Sequence, residues 1–304
     1  MALFSWAVEM SGTTHNPHAI KAIALMCGAG LCFALLDTTV KHLGITSTIP
    51  IAEIIWIRFA IHALLTILVL APAGLPKMLT SRKPIQQWLR SGFMLSATFC
   101  NFLAVNHLRL DQTATIFFLT PLMIAALAGP LLNEWVGWRR LLAICTGFLG
   151  IVIVMRPGFG WIHWAALFSL GATLSYALYS VTTRYLAAHD TAAVTQFYTP
   201  LAGVVLTAPV AFSDWVWPAD MWTWCLLVWL GVIGSFGHWI LIQSHRFAPA
   251  PVLAPFIYVN LVWMTTLGFL VFGDIPDIAT LTGGGVVVGA GLYLLYRERR
   301  LAKP

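Results

Sequence analysis

The sequence predicts an all-α integral membrane protein. Its ten transmembrane helices form two inverted five-helix repeats, with both termini cytoplasmic. Three observations point there. First, of the 304 residues 59% are hydrophobic and only 9% charged, against about 25% charged in an ordinary soluble domain, and the mean hydropathy is +0.83. Second, apolar stretches of bilayer-spanning length recur along the whole chain. Third, "LCFALLDTTVKHLG" at 31–44 overlays "LSYALYSVTTRYLA" at 174–187: Leu31, Ala34, Leu35, Thr39 and Leu43 fall on Leu174, Ala177, Leu178, Thr182 and Leu186.

A helix needs about 20 mostly apolar residues to span a bilayer. After an N-terminal tail at 1–18, such stretches occur at 19–41, 51–71, 85–107, 113–132, 140–155, 161–184, 192–212, 221–243, 250–272 and 278–296. The first five and the last five define two repeats, 19–156 and 161–297, and a basic tail follows at 298–304. The connections are short and punctuated by turn residues, as in "APAGLP" at 71–76, "RPGFG" at 156–160 and "GDIPD" at 273–277. No cleavable signal peptide is expected in residues 1–17, which contain Glu9 and lack a small-residue cleavage site.

Lysine and arginine orient the chain. With the N-terminus inside, the cytoplasmic side collects thirteen of the 17 basic residues, among them Lys77, Arg82, Lys83, Arg90, Arg139, Arg140 and Arg297. The net charge of +6 is therefore a topology signal and gives no reason to expect a nucleic-acid partner. The expected location is the inner (plasma) membrane, with multiple passes. Clusters such as Trp215, Trp217, Trp222 and Trp224 suit the membrane interface.

The internal match extends beyond residues 31–44. Glu134 and Asp274 each close an apolar span, and Arg156 and Arg297 each end the last span of a half. Because five is odd, the second half enters the membrane upside down. Inverted repeats characterise many secondary transporters, in which two similar halves exchange conformations around one central site. Alternating-access transport without ATP is the functional expectation.

Several phrases also resemble the EamA-type members of the drug/metabolite transporter superfamily: "ALLDTTVKHL", "IIWIRF" at 54–59, "FLTPLMIAALAGPLLNEWVGWRRLLAICTGFLGIVIVMRPG" at 118–158, "GHW" at 237–239 and "APFIYVNLVWMTTLGFLVFGDIPD" at 254–277. The resemblance covers nearly the whole chain. It is nearest to a proteobacterial branch with S-adenosylmethionine and riboflavin importers, and less to aromatic amino-acid exporters. It implies a central cavity bounded mainly by spans 1, 3, 4, 6, 8 and 9, and a small ring-containing metabolite as substrate. Export of amino acids or drugs is the alternative.

Charges within apolar spans cost a few kcal/mol each, so they mark candidate sites. Asp37 and Lys41 lie at i, i+4 on one helical face. Asp37 is about 27 Å along the first span, at a depth similar to Arg58 in the second. Two roles stay open for the set Asp37, Lys41 and Arg58. One is a structural Asp37–Arg58 pair with Lys41 nearer the surface; the other is a substrate, proton or gating site at the outer mouth. Glu53 suits the positive end of the second helix. Tyr176 and Tyr179 form one face of the sixth span, as a cavity wall or as packing. Asn101 sits inside the third span and needs partners.

In the eighth span, Gly231, Gly234, Ser235 and His238 form a stripe that permits close approach. His238 either bonds a neighbouring helix or faces the cavity. Ser235 and His238 share one short stretch and do not make a protease pair. Asn260, with Tyr258 and Trp263, is a candidate for substrate contact in the ninth span. Pro121 and Pro255 should bend their helices.

No catalytic constellation, metal spacing or cofactor motif is expected. The five cysteines lie in apolar segments without CxxC spacing. "TGGGVVVGAG" at 282–291 precedes no GK[ST]. Its Gly285 and Gly289 suit helix packing, within a monomer or in a homodimer.

Overall fold

A computed structural model describes residues 17–70, 79–132, 138–155, 164–187, 189–247, 256 and 259–301. Among these residues the chain is helical and contains no strand. The helices are α1 (Pro17–Thr46), α2 (Ile51–Leu70), α3 (Pro84–His107), α4 (Leu110–Phe117), α5 (Thr120–Leu132), α6 (Trp138–Met155), α7 (Ala165–Ala187), α8 (Ala192–Tyr198), α9 (Leu201–Ser213), α10 (Met221–Phe247), α11 (Val259–Phe272) and α12 (Ile278–Leu301). Five are long and apolar enough to cross a membrane: Ile20–Thr46, Ile51–Val69, Ala165–Thr183, Ala193–Ser213 and Met221–Leu241. Leu110–Ile124, Val259–Phe272 and Ile278–Tyr293 are shorter apolar helices.

Two stretches expected to be continuous spans are broken, both at a Thr-Pro step. α4 stops at Phe117 and α5 begins at Thr120, with Pro121 in its first turn. Proline has no N–H to donate, and the Phe117 carbonyl instead accepts the Thr120 hydroxyl. α8 stops at Tyr198 and α9 begins after Pro200, whose own carbonyl accepts Val204 N–H at 3.0 Å. Pro121 thus stands at a break between two helices, where a bend within one was expected. Pro255 and Tyr258 lie outside the described residues.

The most extensive packing joins α1 to α10, α3 to α7 and α6 to α12, followed by α2 to α9 and α10 to α2. Small residues permit these approaches. A Cβ added at Gly237 on α10 would meet Cys32 and Phe33 of α1 at 3.0 and 3.1 Å. One added at Gly150 on α6 would lie 2.8 Å from the Gly283 carbonyl of α12. Nothing among the described residues lies within 4 Å of a Cβ at Gly285 or Gly289, so within the described part of the chain these two glycines pack on no other helix. The largest buried cluster gathers α1, α2, α3, α4, α10 and α11 around Phe59, Phe102 and Leu227. This cluster surrounds the cavity described next.

Candidate functional site

One cavity of about 780 Å³, including its open part, lies among α1, α2, α3, α4, α7, α10 and α11. Its apolar walls include Phe33 and Leu36 of α1, Met94 and Phe102 of α3, Phe117 of α4 and Met264 of α11. Its polar groups are Asp37, Arg58, Thr98, Asn101, Thr113, Tyr176, His238 and Asn260. α6 and α12, packed on each other, contribute none of this lining.

Asp37 and Arg58 do not form an ion pair. Among the described residues, ion pairs join Lys41 to Asp274 and Arg109 to Asp111. Asp37 Oδ1 accepts a hydrogen bond from Asn101 Nδ2 at 2.8 Å. Arg58 Nη1 donates to Thr98 Oγ1 at 2.9 Å. Thr98 and Asn101 are one turn apart on α3, so that helix supplies a neutral partner to each charge and holds the two apart. The Arg58 guanidinium also lies over the rings of Phe59 and Phe102, at 4.9 and 5.5 Å. Among the described residues, three buried polar atoms of the lining have no hydrogen-bond partner: Arg58 Nε, His238 Nε2 and Asn260 Oδ1.

Lys41 differs from expectation as well. It is buried, with Nζ 3.0 Å from Asp274 Oδ2 and donating to the Leu108 carbonyl at 3.2 Å. It also lies over the Phe272 ring at 4.7 Å. The local cause is Gly273, whose φ of +73° ends α11. Asp274 is turned back so that its N–H meets the Gly268 carbonyl at 3.1 Å. Lys41 is thus a link between α1 and the end of α11, outside the cavity lining.

The other candidates divide in the same way. Tyr176 lines the cavity and tilts against Phe117, with ring centroids 5.1 Å apart. Tyr179 is drawn away from the lining: its hydroxyl accepts from Arg90 Nη2 at 2.7 Å. Trp263 turns towards α1 and donates to the Cys27 carbonyl at 3.1 Å. Glu53 is fully buried, and its Oε2 accepts the Val216 N–H at 3.0 Å, anchoring the loop before α10 to α2.

The structure adds residues that sequence reasoning missed. His62 is 2% exposed and stacks on His238 at 5.7 Å and 19°. Its Nε2 lies 3.1 Å from Gln196 Nε2. A polar residue one turn beyond Arg58 in an apolar span was the available signal. Arg90, counted above among the basic residues of the cytoplasmic side, is 2% exposed. It donates to Thr183 Oγ1, Tyr179 Oη, Thr199 Oγ1 and the Thr195 carbonyl, at 2.7 to 3.1 Å. Beside it, Asp190 accepts from Ser81 Oγ, Arg82 N–H and Gln87 Nε2. Partial desolvation raises the Asp190 carboxyl, but these hydrogen bonds and nearby His189 outweigh it and hold the group below its ordinary value.

The arrangement can bind a small molecule through a few polar groups set in an aromatic and aliphatic wall. The described residues contain no group of three or more His, Cys, Asp or Glu able to hold a metal ion.

Known proteins agree with a transport role. The EamA-like transporter family matches the chain twice, over residues 20–156 and 163–297. The riboflavin transporter of Vibrio cholerae is 25% identical over 287 residues, covering 94% of this chain and 96% of its own. The S-adenosylmethionine uptake transporter of Rickettsia prowazekii is 26% identical over 280 residues, 89% of this chain and 94% of its own. The pseudopaline exporter of Pseudomonas aeruginosa is 26% identical over 277 residues, 90% and 95% respectively. A crystal structure of 20% identity superposes with a TM-score of 0.63 over 93% of this chain and 99% of that one, a likeness of fold. The chain belongs to the EamA-like transporter family, as a multi-pass membrane transporter of small molecules rather than an enzyme.

Proposed function

We propose that the protein is a secondary transporter of the inner membrane that moves a small ring-containing metabolite by alternating access, without ATP. Ten spans form two inverted halves, 19–156 and 161–297, with both termini cytoplasmic. In this reading α4 with α5 is the fourth span and α8 with α9 the seventh.

The observation that carries the reading is the composition of the cavity wall. Asp37, Arg58, Asn101 and Phe117 come from the first family-matched segment; Tyr176, His238, Asn260 and Met264 come from the second. A site shared by two halves opens to either side as the halves rock against each other. The packing supports the repeat. α1 on α10 has its counterpart in α3 on α7, and α1 on α11 in α5 on α7. The basic residues support the orientation.

The relatives' names make S-adenosylmethionine and riboflavin the first solutes to try. Export is a second reading, favoured by the relative named as a pseudopaline exporter. The test is flux in liposomes containing only the purified protein. Accumulation of a labelled solute without ATP is expected. Chemical conversion of the solute with no net movement overturns the proposal.

A further inference from the structure

Opposite charges that face one cavity normally close on each other, because a charge left unpaired away from water is costly. Asp37 and Arg58 face one cavity and do not close. Each is restrained by a neutral group of α3, Asn101 and Thr98, and each keeps unused capacity. Asp37 Oδ1 is occupied by Asn101, and Oδ2 has no partner among the described residues. Arg58 is 5% exposed, its Nε is unpartnered, and Thr98 takes only one of its five N–H donors. Phe59 and Phe102 brace the guanidinium plane, so it is held ready in place.

We propose that this separated pair is a receptor for a zwitterion. The ligand's cationic group, an ammonium or its equivalent, sits at Asp37 Oδ2. Its carboxylate sits at Arg58, where a planar fork matches a planar anion. Any flat part of the ligand lies against Phe117 and Tyr176. The charge balance narrows the class. A neutral ligand leaves the two charges to act only on each other across the gap, a simple cation leaves Arg58 without a partner in contact, and a simple anion leaves Asp37 so. A ligand carrying both charges answers both and adds no net charge to a low-dielectric site. The proposal rests on the cavity being the substrate site, and it favours ligands with an amino-acid moiety over neutral ring compounds.

The test is binding to the full-length purified protein with matched probes. L-tryptophan is compared with tryptamine, which lacks the carboxylate, and with indole-3-propionate, which lacks the ammonium. S-adenosylhomocysteine, whose only charges are its ammonium and carboxylate, is compared with 5′-methylthioadenosine, which keeps the ring and the thioether and loses the zwitterion, and with riboflavin. At least one zwitterion is expected to bind about tenfold or more tightly than every matched analogue. Analogues or riboflavin binding equally well overturn the proposal, as does the failure of both zwitterions to bind.

Asp37→Asn should weaken the zwitterion while indole-3-propionate binds as well or better, and Arg58→Gln should weaken it while tryptamine binds as well or better, because each substitution removes the charge that the single-charge probe leaves unanswered. The ligand series on the unaltered protein decides the matter even if either variant fails to fold. Flux separates the two levels. Riboflavin transport without zwitterion binding sinks this inference and spares the transporter, whereas selective zwitterion binding without flux does the reverse.

Discussion

Asp37 and Lys41 sit one turn apart on the same helix, yet their fates differ. Lys41 is closed into an ion pair with Asp274, capped by a carbonyl and an aromatic ring. Asp37 opens on the cavity with one oxygen unoccupied, and its nearest opposite charge is held off by two neutral α3 side chains. The same contrast separates the buried arginines. Four hydrogen bonds from Arg90 tie α3 to α7 and α8, whereas Arg58 keeps unmet donors. Saturated charges join helices; unsaturated ones are available to a ligand. The comparison is testable, because the two kinds of charge should respond oppositely to removal.

Arg90 should show the largest effect. Arg90→Ala removes a buried cation with its four hydrogen bonds, and the Tyr179 hydroxyl loses its Arg90 partner, while Thr183 and Thr199 keep their bonds to backbone carbonyls. The expected loss is about 3–5 kcal/mol of stability, as for other broken buried networks. Arg90→Lys should rescue little of it, because an ammonium lacks the planar fork that spans these partners. Thermal unfolding in detergent checks both variants. A melting temperature unchanged in Arg90→Ala removes the structural half of the comparison.

The cavity charges come next, and their effect is on transport rather than folding. If they are receptors, Asp37→Asn combined with Arg58→Gln should leave flux dead and the protein folded. If instead they are a structural pair, the double substitution should restore what each single one loses. Flux and melting temperature measured on the two single variants and the double variant give the complete cycle.

Lys41 and Asp274 should give a smaller effect, about 1–2 kcal/mol on breaking the pair. Their side chains are 10% and 23% exposed, between the regimes of exposed and fully buried pairs. The exchange Lys41→Asp with Asp274→Lys should recover part of the loss, and a double-mutant cycle measures the coupling. Additive single effects count against a direct contact.

Much of the fold was legible and much of the site was not, for physical reasons. An apolar run of bilayer length declares a helix whatever surrounds it, so the boundaries of α2 and α3 lie within a residue of those expected. The Thr-Pro steps at 120–121 and 199–200 were visible as well, but hydropathy is blind to a break that keeps both sides apolar. Asp37, Asn101, Tyr176, His238 and Asn260 reach one cavity because each is a polar residue without water inside a span. Partner choice was hidden. Depth along the helices matched Asp37 with Arg58, but Lys41 found Asp274, 233 positions away, through the turn that Gly273 makes. Arg90 was hidden by its type: near a helix start, an arginine looks like a surface charge until α7 and α8 are folded over it.

Asp190 should give the smallest effect, and it probes the rim of the Arg90 network through pH. Its carboxyl lies in the turn between α7 and α8 and accepts from Ser81, the Arg82 amide and Gln87. These bonds favour the ionised form, so the folded pKa lies below the unfolded value of 3.8. A depressed carboxylate contributes stability that is fully present above the unfolded pKa and is lost as pH falls through the folded one. The native protein should therefore lose this contribution progressively as the pH drops below about 4, and keep it unchanged at neutral pH and above. Asp190→Asn removes the titrating group. The melting-temperature gap between native and variant should be constant from pH 8 to about 5 and narrow below about 4. A gap that widens in acid reverses the sign and would mean that the hydrogen bonds favour the protonated form. A gap that narrows between pH 7 and 6 assigns the effect to a histidine, with His189 beside Asp190 the first to examine.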